Sequence, residues 1–286
     1  MLNYLIIDEL IKDALKEDMP FGDVTTNSII DENSTCKVYI HAKEDGIICG
    51  LPVFERVYKI VGNVDVIFYI KEGSNVFNGD KIGEVSGNTR NVLMGERIAL
   101  NLLQRMSGIA TLTNKYVEAI KGTTSKIVDT RKVTPLYRNL DKYSVTIGGA
   151  INHRYSLSDS ILIKDNHIDA AKGITNAVNL ARKNASFTTK VEVETESLED
   201  VMEAINAKAD IIMLDNMSPK MVSEMVKVIN GRAIVETSGN ITIDNVLEYA
   251  KTGVDYISIG ALTHSFKVLD ISLKNLTLLE KNQEPL

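Results

Sequence analysis

Long cations stand where short β-rich runs give out. The stretch DTRK carries Arg131 and Lys132, INHR carries His153 and Arg154, and ILIKDNH carries Lys164 directly after an apolar run. Further along, VEVETE brings Glu192 and Glu194, and IIMLDN ends in Asp215 and Asn216. VETSGN then supplies Glu236, Ser238 and Gly239, and ISIGALTH supplies Ser258, Gly260 and His264. Cations gathered beside a smaller set of carboxylates suit a ligand with several negative groups and a bridging divalent metal. Arg grips carboxylate or phosphate through two parallel hydrogen bonds, while Lys acts as a compact charge. Small-residue turns such as TSGN and SIGAL let backbone amides approach a phosphate. A capping or turn role accounts well for Asp215–Asn216 and Ser238–Gly239. It accounts poorly for Arg131, Lys132, Arg154 and Lys164, because long cations at inner strand ends cost desolvation unless paired. Structural ion pairs with Glu194 and Asp215 are the competing explanation for those cations.

Several other chemistries are disfavoured by what the chain lacks. It contains no GxxxxGK[ST], no GxGxxG, no HExxH and no GxSxG, so nucleotide cradles, zinc hydrolysis and a serine nucleophile elbow find no support. A net charge of -6 without a basic tract argues against nucleic acid as a partner. Cys36 and Cys49 match no metal or disulfide spacing. No apolar run approaches the roughly 18 to 20 residues that a bilayer span needs, and no membrane partner is expected. The first residues, MLNYLIIDELIKDALKEDM, read as an amphipathic helix rather than a targeting signal. A cytoplasmic protein is expected.

The elements that must hold these residues fall into two textures. Residues 1–108 are mixed, with a helix over roughly 4–17 and FGDVTTNSII as a turn with a short extended piece. TCKVYIHA, GIICG, VDVIFYI and KIGEVSG are strands, interrupted by the helix PVFERVYKIV. A second helix, NVLMGERIALNLLQRM, is expected to stop at Ser107-Gly108. On it Arg97, Asn101 and Gln104 share a face, which alone reads as a solvated stripe. From 109 to 274 strands alternate with helices, which implies parallel pairing buried on both faces. The strand runs there include GGAINHR between SKIVDTRK and SILIKDNH. A doubly wound sheet and a barrel both fit that alternation. Roughly 165 residues is short of the roughly 250 of a full eight-fold barrel, so an incomplete one fits better. In either case ligands bind at the carboxyl edge of the strands, where the unusual residues stand.

The segments ERIALNLLQRMSGIAT, DTRKVTP, GGAINHR, ILIKDNH, KVEVE, IIMLDNM, SGNIT and DYISIGALTHS, with GDVTT near the start, together resemble the quinolinate phosphoribosyltransferases, the carboxylating nicotinate-nucleotide pyrophosphorylases. The likeness runs in order from about residue 22 to 273. It implies an N-terminal α/β sandwich domain (1–108, with a tail, 275–286, returning to it) and an open, incomplete α/β barrel (109–274) carrying the active site. It also implies a homodimer or an assembly of dimers. The implied reaction joins quinolinate and phosphoribosyl pyrophosphate into nicotinate mononucleotide, pyrophosphate and carbon dioxide, with Mg²⁺, as a step of NAD synthesis. Carried over motif by motif, Arg131, His153, Arg154 and Lys164 resemble the quinolinate pocket, and Thr130 and Lys132 complete its TRK element. Glu194 and Asp215 resemble the carboxylates that hold the ribose hydroxyls and, directly or through substrate, the metal. With Lys164 they make up the expected catalytic set. Ser238, Gly239 and Asn240, with Ser258, Ile259 and Gly260, resemble the 5′-phosphate site. Arg97 matches an arginine that reaches into the partner subunit's pocket.

The chain departs from the family pattern at Val133, Leu136-Tyr137, Thr146-Ile147, Ser156 and Asn240. None of these removes a charged contact. A related branch associated with molybdenum transport, and non-decarboxylating transfer to another aromatic acid, are the alternatives. A phosphosugar-binding protein on a decayed barrel is a third, opposed by retention of every charged position.

Overall fold

The computed structural model describes residues 2–279. In chain order its first elements are α1 (Tyr4–Asp18), α2 (Val24–Ile29), β1 (Thr35–Ala42), β2 (Gly46–Ile47), α3 (Leu51–Val61), β3 (Val64–Phe68), β4 (Asn75–Val76), β5 (Lys81–Asn88) and α4 (Thr89–Ala119). There follow β6 (Lys126–Val128), α5 (Arg138–Ile147), β7 (Ile161–Ile163), α6 (Asp165–Ala171), α7 (Ile174–Asn184), β8 (Val191–Thr195), α8 (Leu198–Asn206) and β9 (Ile211–Asp215). The last are α9 (Pro219–Ile229), β10 (Ile234–Ser238), α10 (Val246–Ala250), β11 (Tyr256–Ser258), α11 (Ala261–His264) and β12 (Ile271–Leu278). The chain forms two compact units, one of residues up to 112, 134–148 and from 266 onward, the other of 113–133 and 149–265.

In the first unit β1 buries every second residue, so that Cys36, Val38, Ile40 and Ala42 face a core. The antiparallel sheet runs β12-β1-β5-β3. Its buried face packs with Ile7, Ile11 and Leu15 of α1, Phe54, Val57 and Tyr58 of α3, and Leu102, Leu103 and Met106 of α4. The late strand β12 pairs with β1, from Ala42 opposite Ile271 to Cys36 opposite Leu278. That pairing carries the chain after 266 back to the first unit, and α5 belongs there too, so a single cut at 108 does not divide the units. Of the expected returning tail, residues 280–286 lie outside the described residues.

Two local expectations give way. α4 does not stop at Ser107-Gly108. The Ser107 hydroxyl is buried and bonded to both the amide and the carbonyl of Cys49, at 2.9 and 3.1 Å. At Gly108 a Cβ would run into the backbone of Lys267, so the glycine serves close approach rather than termination. FGDVTTNSII contains a helix, α2, started by Asp23, whose carboxylate accepts from the Thr26 amide at 2.9 Å.

The second unit is an open α/β barrel. Its six strands are all parallel, in the order β6-β11-β10-β9-β8-β7. The middle strands are buried on both faces, which explains their apolar bodies. Helices α7 to α10 pack side by side, with α7, α8 and α9 also lying against strands. GGAINHR is not a strand: Ile151 alone makes a parallel bridge, to Val128, beside β6. The polar residues after Ile163 open α6, where the His167 ring accepts from the Lys164 amide at 3.0 Å. Lys164 is thus set at a strand-to-helix corner.

Candidate active site

Inward-facing positions of a parallel strand recur with period two, and here the last inward position on each strand is polar. Lys164 stands two residues beyond Leu162, Glu194 beyond Glu192, Asp215 beyond Met213 and Ser238 beyond Glu236. All eight except Glu192 line one cavity of about 470 Å³, together with Thr130, Arg131, Lys132, His153, Arg154 and Ser258. Every one of these residues belongs to the barrel unit. The cations expected to converge do converge.

The wall is held by specific bonds. The loop after β6 turns on Thr130, whose hydroxyl accepts from the Lys132 amide at 3.0 Å, and Thr263 donates to the Lys132 carbonyl at 2.8 Å. Arg154 donates to the Ser160 carbonyl at 3.0 Å. Burial and then the charge of Arg131 hold the Arg154 guanidinium below its ordinary value, so the two arginines crowd each other. The Arg131 Nε is buried without a hydrogen-bond partner among the described residues. A donor in that condition favours an anionic ligand. Opposite, Lys164 forms an ion pair with Glu194, whose side chain is only 13% exposed against 42% for the lysine. Asp215 accepts from Asn216 at 2.6 Å.

Behind the cavity lies a second polar layer. The backbone amide of His153 donates to Asp129 at 2.8 Å, and its ring Nδ1 accepts from the Arg154 amide at 2.7 Å. Its Nε2 lies 3.3 Å from Glu192 and 3.2 Å from Glu236, both carboxylates being almost fully buried. Ser258 donates to the other oxygen of Glu236. Burial alone would strip His153 of charge, but the two glutamates more than offset it and raise its pKa. Burial likewise raises Glu192. The shifts of His153 and Glu192 point the same way: the proton between them is held tightly. The Arg154 amide aimed at Nδ1 places that proton on the Nε2 side of the ring, facing the carboxylates.

The phosphate-site expectations divide. Ser238 and Ser258 line the cavity, whereas Gly239, Asn240, Ile259 and Gly260 are not part of its lining. Gly239 has φ +93° and no room for a Cβ beside the Asn216 side chain, so its turn demands glycine. Asn240 donates to Asn216 at 3.2 Å. The Ile259 amide is spent on the Val128 carbonyl at 3.0 Å and its side chain is buried. Gly260 lies against the stem of Lys132. Arg97 is exposed on α4 in the first unit and is not part of the cavity's lining. On the same stripe Gln104 is not solvated but donates to the Ile271 carbonyl at 2.6 Å. Sequence reasoning passed over Leu162 and Met213, the apolar floor, and gave no role to Glu192 and Glu236. Counting back two residues from each polar strand end finds all four.

Comparison with known proteins identifies the family. Residues 23–107 match the family model of the quinolinate phosphoribosyl transferase N-terminal domain, and residues 109–274 match that of the C-terminal domain. The chain is 44% identical over 274 residues to a probable carboxylating nicotinate-nucleotide pyrophosphorylase of Methanocaldococcus jannaschii, covering 93% of this chain and 95% of that protein. A protein of the same designation from Bacillus subtilis is 42% identical, with 95% and 94% covered. Among solved structures, NadC from Streptococcus pyogenes superposes with a TM-score of 0.94 at 44% identity, covering 98% of this chain and 99% of that one. Two matched domains, whole-length relatives and a shared fold agree: the chain belongs to the quinolinate phosphoribosyl transferase family.

Proposed function

We propose that this protein transfers the phosphoribosyl group of phosphoribosyl pyrophosphate to the ring nitrogen of quinolinate, with loss of one carboxylate, giving nicotinate mononucleotide, pyrophosphate and carbon dioxide. The observation that carries this reading is the convergence of Arg131, Lys132, Arg154 and Lys164 on one cavity that also presents Glu194 and Asp215. The names of the whole-length relatives support the same substrates and favour them over the molybdenum-associated branch or non-decarboxylating transfer.

In this mechanism Arg131, Arg154 and Lys164 hold the two carboxylates of the pyridine acid, and Lys132 faces the pyrophosphate. As pyrophosphate leaves, the ribose C1 gains oxocarbenium character, which Glu194 and Asp215 stabilise while the cations stabilise the departing anion. The pyridine nitrogen is already a nucleophile, so no general base is required and the residues' main task is positioning. Once alkylated, the ring nitrogen is positive and stabilises the carbanion left by carbon dioxide, which a proton from solvent then quenches. Lys164 is occupied in its ion pair with Glu194. It therefore acts as a charge, not as an amine nucleophile, and no covalent intermediate forms on it.

Mg²⁺ fits the donor set in a limited way. Glu194 and Asp215 are hard oxygen donors on neighbouring strands, but each is already engaged, by Lys164 and by Asn216. They suit an ion carried mainly by substrate phosphates rather than one caged by protein. When bound, Mg²⁺ would neutralise charge on the pyrophosphate.

The same reading makes the protein a cytoplasmic homodimer, or an assembly of dimers, in which Arg97 completes the partner subunit's cavity. The exposure of Arg97 supports that role, and no helix among the described residues is long and apolar enough to cross a membrane. The test is direct: incubate the protein with quinolinate, phosphoribosyl pyrophosphate and Mg²⁺ and measure nicotinate mononucleotide and carbon dioxide. Absence of both across pH 6–9 would reject the proposal, and turnover of nicotinate in preference to quinolinate would replace it.

A further inference from the structure

Two buried glutamates at a cavity built for anions, Glu236 in its lining and Glu192 behind it, need an explanation, since bare carboxylates there would repel the ligand. Glu192 and Glu236 are 2% and 3% exposed. They come from strands β8 and β10, with β9 between them, yet both point at the same imidazole nitrogen, His153 Nε2. One ring nitrogen facing two acceptors must carry a proton. The other, Nδ1, faces the donating amide of Arg154 at 2.7 Å and must carry a lone pair. The ring is therefore held as the Nε2–H tautomer, with both nitrogens used inside the protein. Asp129 fixes the His153 main chain from β6's end, and Ser258 fixes Glu236 from β11. The other charges nearby are the guanidinium groups of Arg154 and Arg131 and the carboxylates of Asp129 and Asp159. Spacings of 3.2 and 3.3 Å lie at the long end of N–H···O hydrogen bonds.

We propose that Glu192 and Glu236 are positioning residues for the aromatic-acid subsite: by sharing the Nε2–H of His153 they fix its ring, and through Nδ1 they fix the main chain of Arg154 in the cavity wall. His153 then meets a ligand through its carbon edge or face, and Arg154 supplies the directed hydrogen bonds. This inference rests on the reading of Arg154 as a carboxylate holder. It adds that the holder is aimed by a buried relay spanning four strands.

Nitrogen NMR on the full chain carrying ¹⁵N-labelled histidine, without substrate, tests the relay, the His153 signals being assigned by their loss in His153→Phe. The expected result is one protonated and one bare ring nitrogen, unchanged from pH 6 to 9. A proton on Nδ1, two protonated nitrogens, or a ring titrating near pH 6.5 would overturn it. Kinetics supply the second arm. Glu236→Leu should raise KM for quinolinate about tenfold, the worth of one charge-assisted hydrogen bond, with a smaller change in kcat. Glu236→Gln keeps an acceptor and should recover most of that loss. Equal KM in the wild type and both variants would count against the relay. If the wild-type protein forms no nicotinate mononucleotide at all, the functional reading falls while the tautomer result stands by itself.

Discussion

Removing Lys164 separates two effects that the structure combines. In the proposed mechanism Lys164→Ala deletes a cation that holds a substrate carboxylate, a contact worth about 1.5–3 kcal/mol when charge-assisted. It also bares Glu194, whose side chain is 13% exposed and whose ion-pair partner is that lysine. An uncompensated carboxylate about 5 Å from a ligand carboxylate, at an effective dielectric of about 20, repels it by about 3 kcal/mol. Together the two effects approach about 5–6 kcal/mol, or about 10⁴-fold in kcat/KM. The fold should hardly notice, because the lysine is 42% exposed and such pairs contribute about 0–1 kcal/mol to stability. The double variant Lys164→Ala/Glu194→Gln removes the repulsion along with the lysine. In the subsite for the pyridine acid it should recover up to about 100-fold in substrate affinity over the single variant, even though its turnover stays low without the Glu194 charge. Binding of quinolinate is read by calorimetry and kcat/KM by product formation, with thermal unfolding as the control. A single variant within tenfold of wild type, or a double variant that binds no better than the single, would refute the reasoning.

Four further outcomes follow from the same geometry. Inactive Arg97→Ala and Lys164→Ala subunits, mixed and allowed to exchange, should regain part of the wild-type turnover. Continued inactivity with exchange confirmed would remove Arg97 from a shared site. Asp141 is fully buried and bonded twice to Arg105, at 2.9 Å each, so Arg105→Ala should cost about 3–5 kcal/mol in urea unfolding. Asp23→Ala should cost about 1 kcal/mol through the lost cap of α2. Hydrogen bonds from Thr26 hold the Asp23 carboxyl below its ordinary value, so that stability is present above about pH 4 and is lost as pH falls through the folded-state value. Urea melts at pH 7 and pH 3 should therefore show the wild-type advantage shrinking in acid. Chelation of Mg²⁺ should abolish turnover while leaving the melting temperature unchanged, since Glu194 and Asp215 are already engaged by protein groups.

What the sequence made legible was whatever depends on period and position. Alternation gave β1, β3 and β5, and the strand–helix alternation after 109 gave a parallel barrel whose polar strand ends share one mouth. Tertiary demands hid the rest. Gly108 looked like a helix stop because its reason for being glycine lies 159 positions on, in the backbone of Lys267. GGAINHR has the composition of a strand, yet Ile151 finds a partner only in Val128. The KDNH ending mixes two duties that composition cannot separate: Lys164 lines the cavity, whereas His167 caps α6. Glu192 and Glu236 were visible as residues but not as a pair, because the strand between them conceals that both face one imidazole.

The signs of charge in the cavity explain why so many polar groups occupy a barrel interior that usually holds aliphatic side chains. Four cations, Arg131, Lys132, Arg154 and Lys164, face the carboxylates of Glu194, Asp215 and Glu236. A site that only bound anions would omit the carboxylates, and a site that only stabilised an oxocarbenium ion would omit the cations. The transfer needs both, because two polyanions must be drawn together before positive charge grows between them. Lys164 and Glu194 illustrate the compromise: paired with each other, they stay neutral as a unit until a ligand carboxylate competes for the lysine. In the proposed mechanism, binding of the pyridine acid then frees Glu194 for the ribose. The double variant separates this coupling from a plain list of contacts, since independent residues would give additive losses whereas a ligand-switched pair would not.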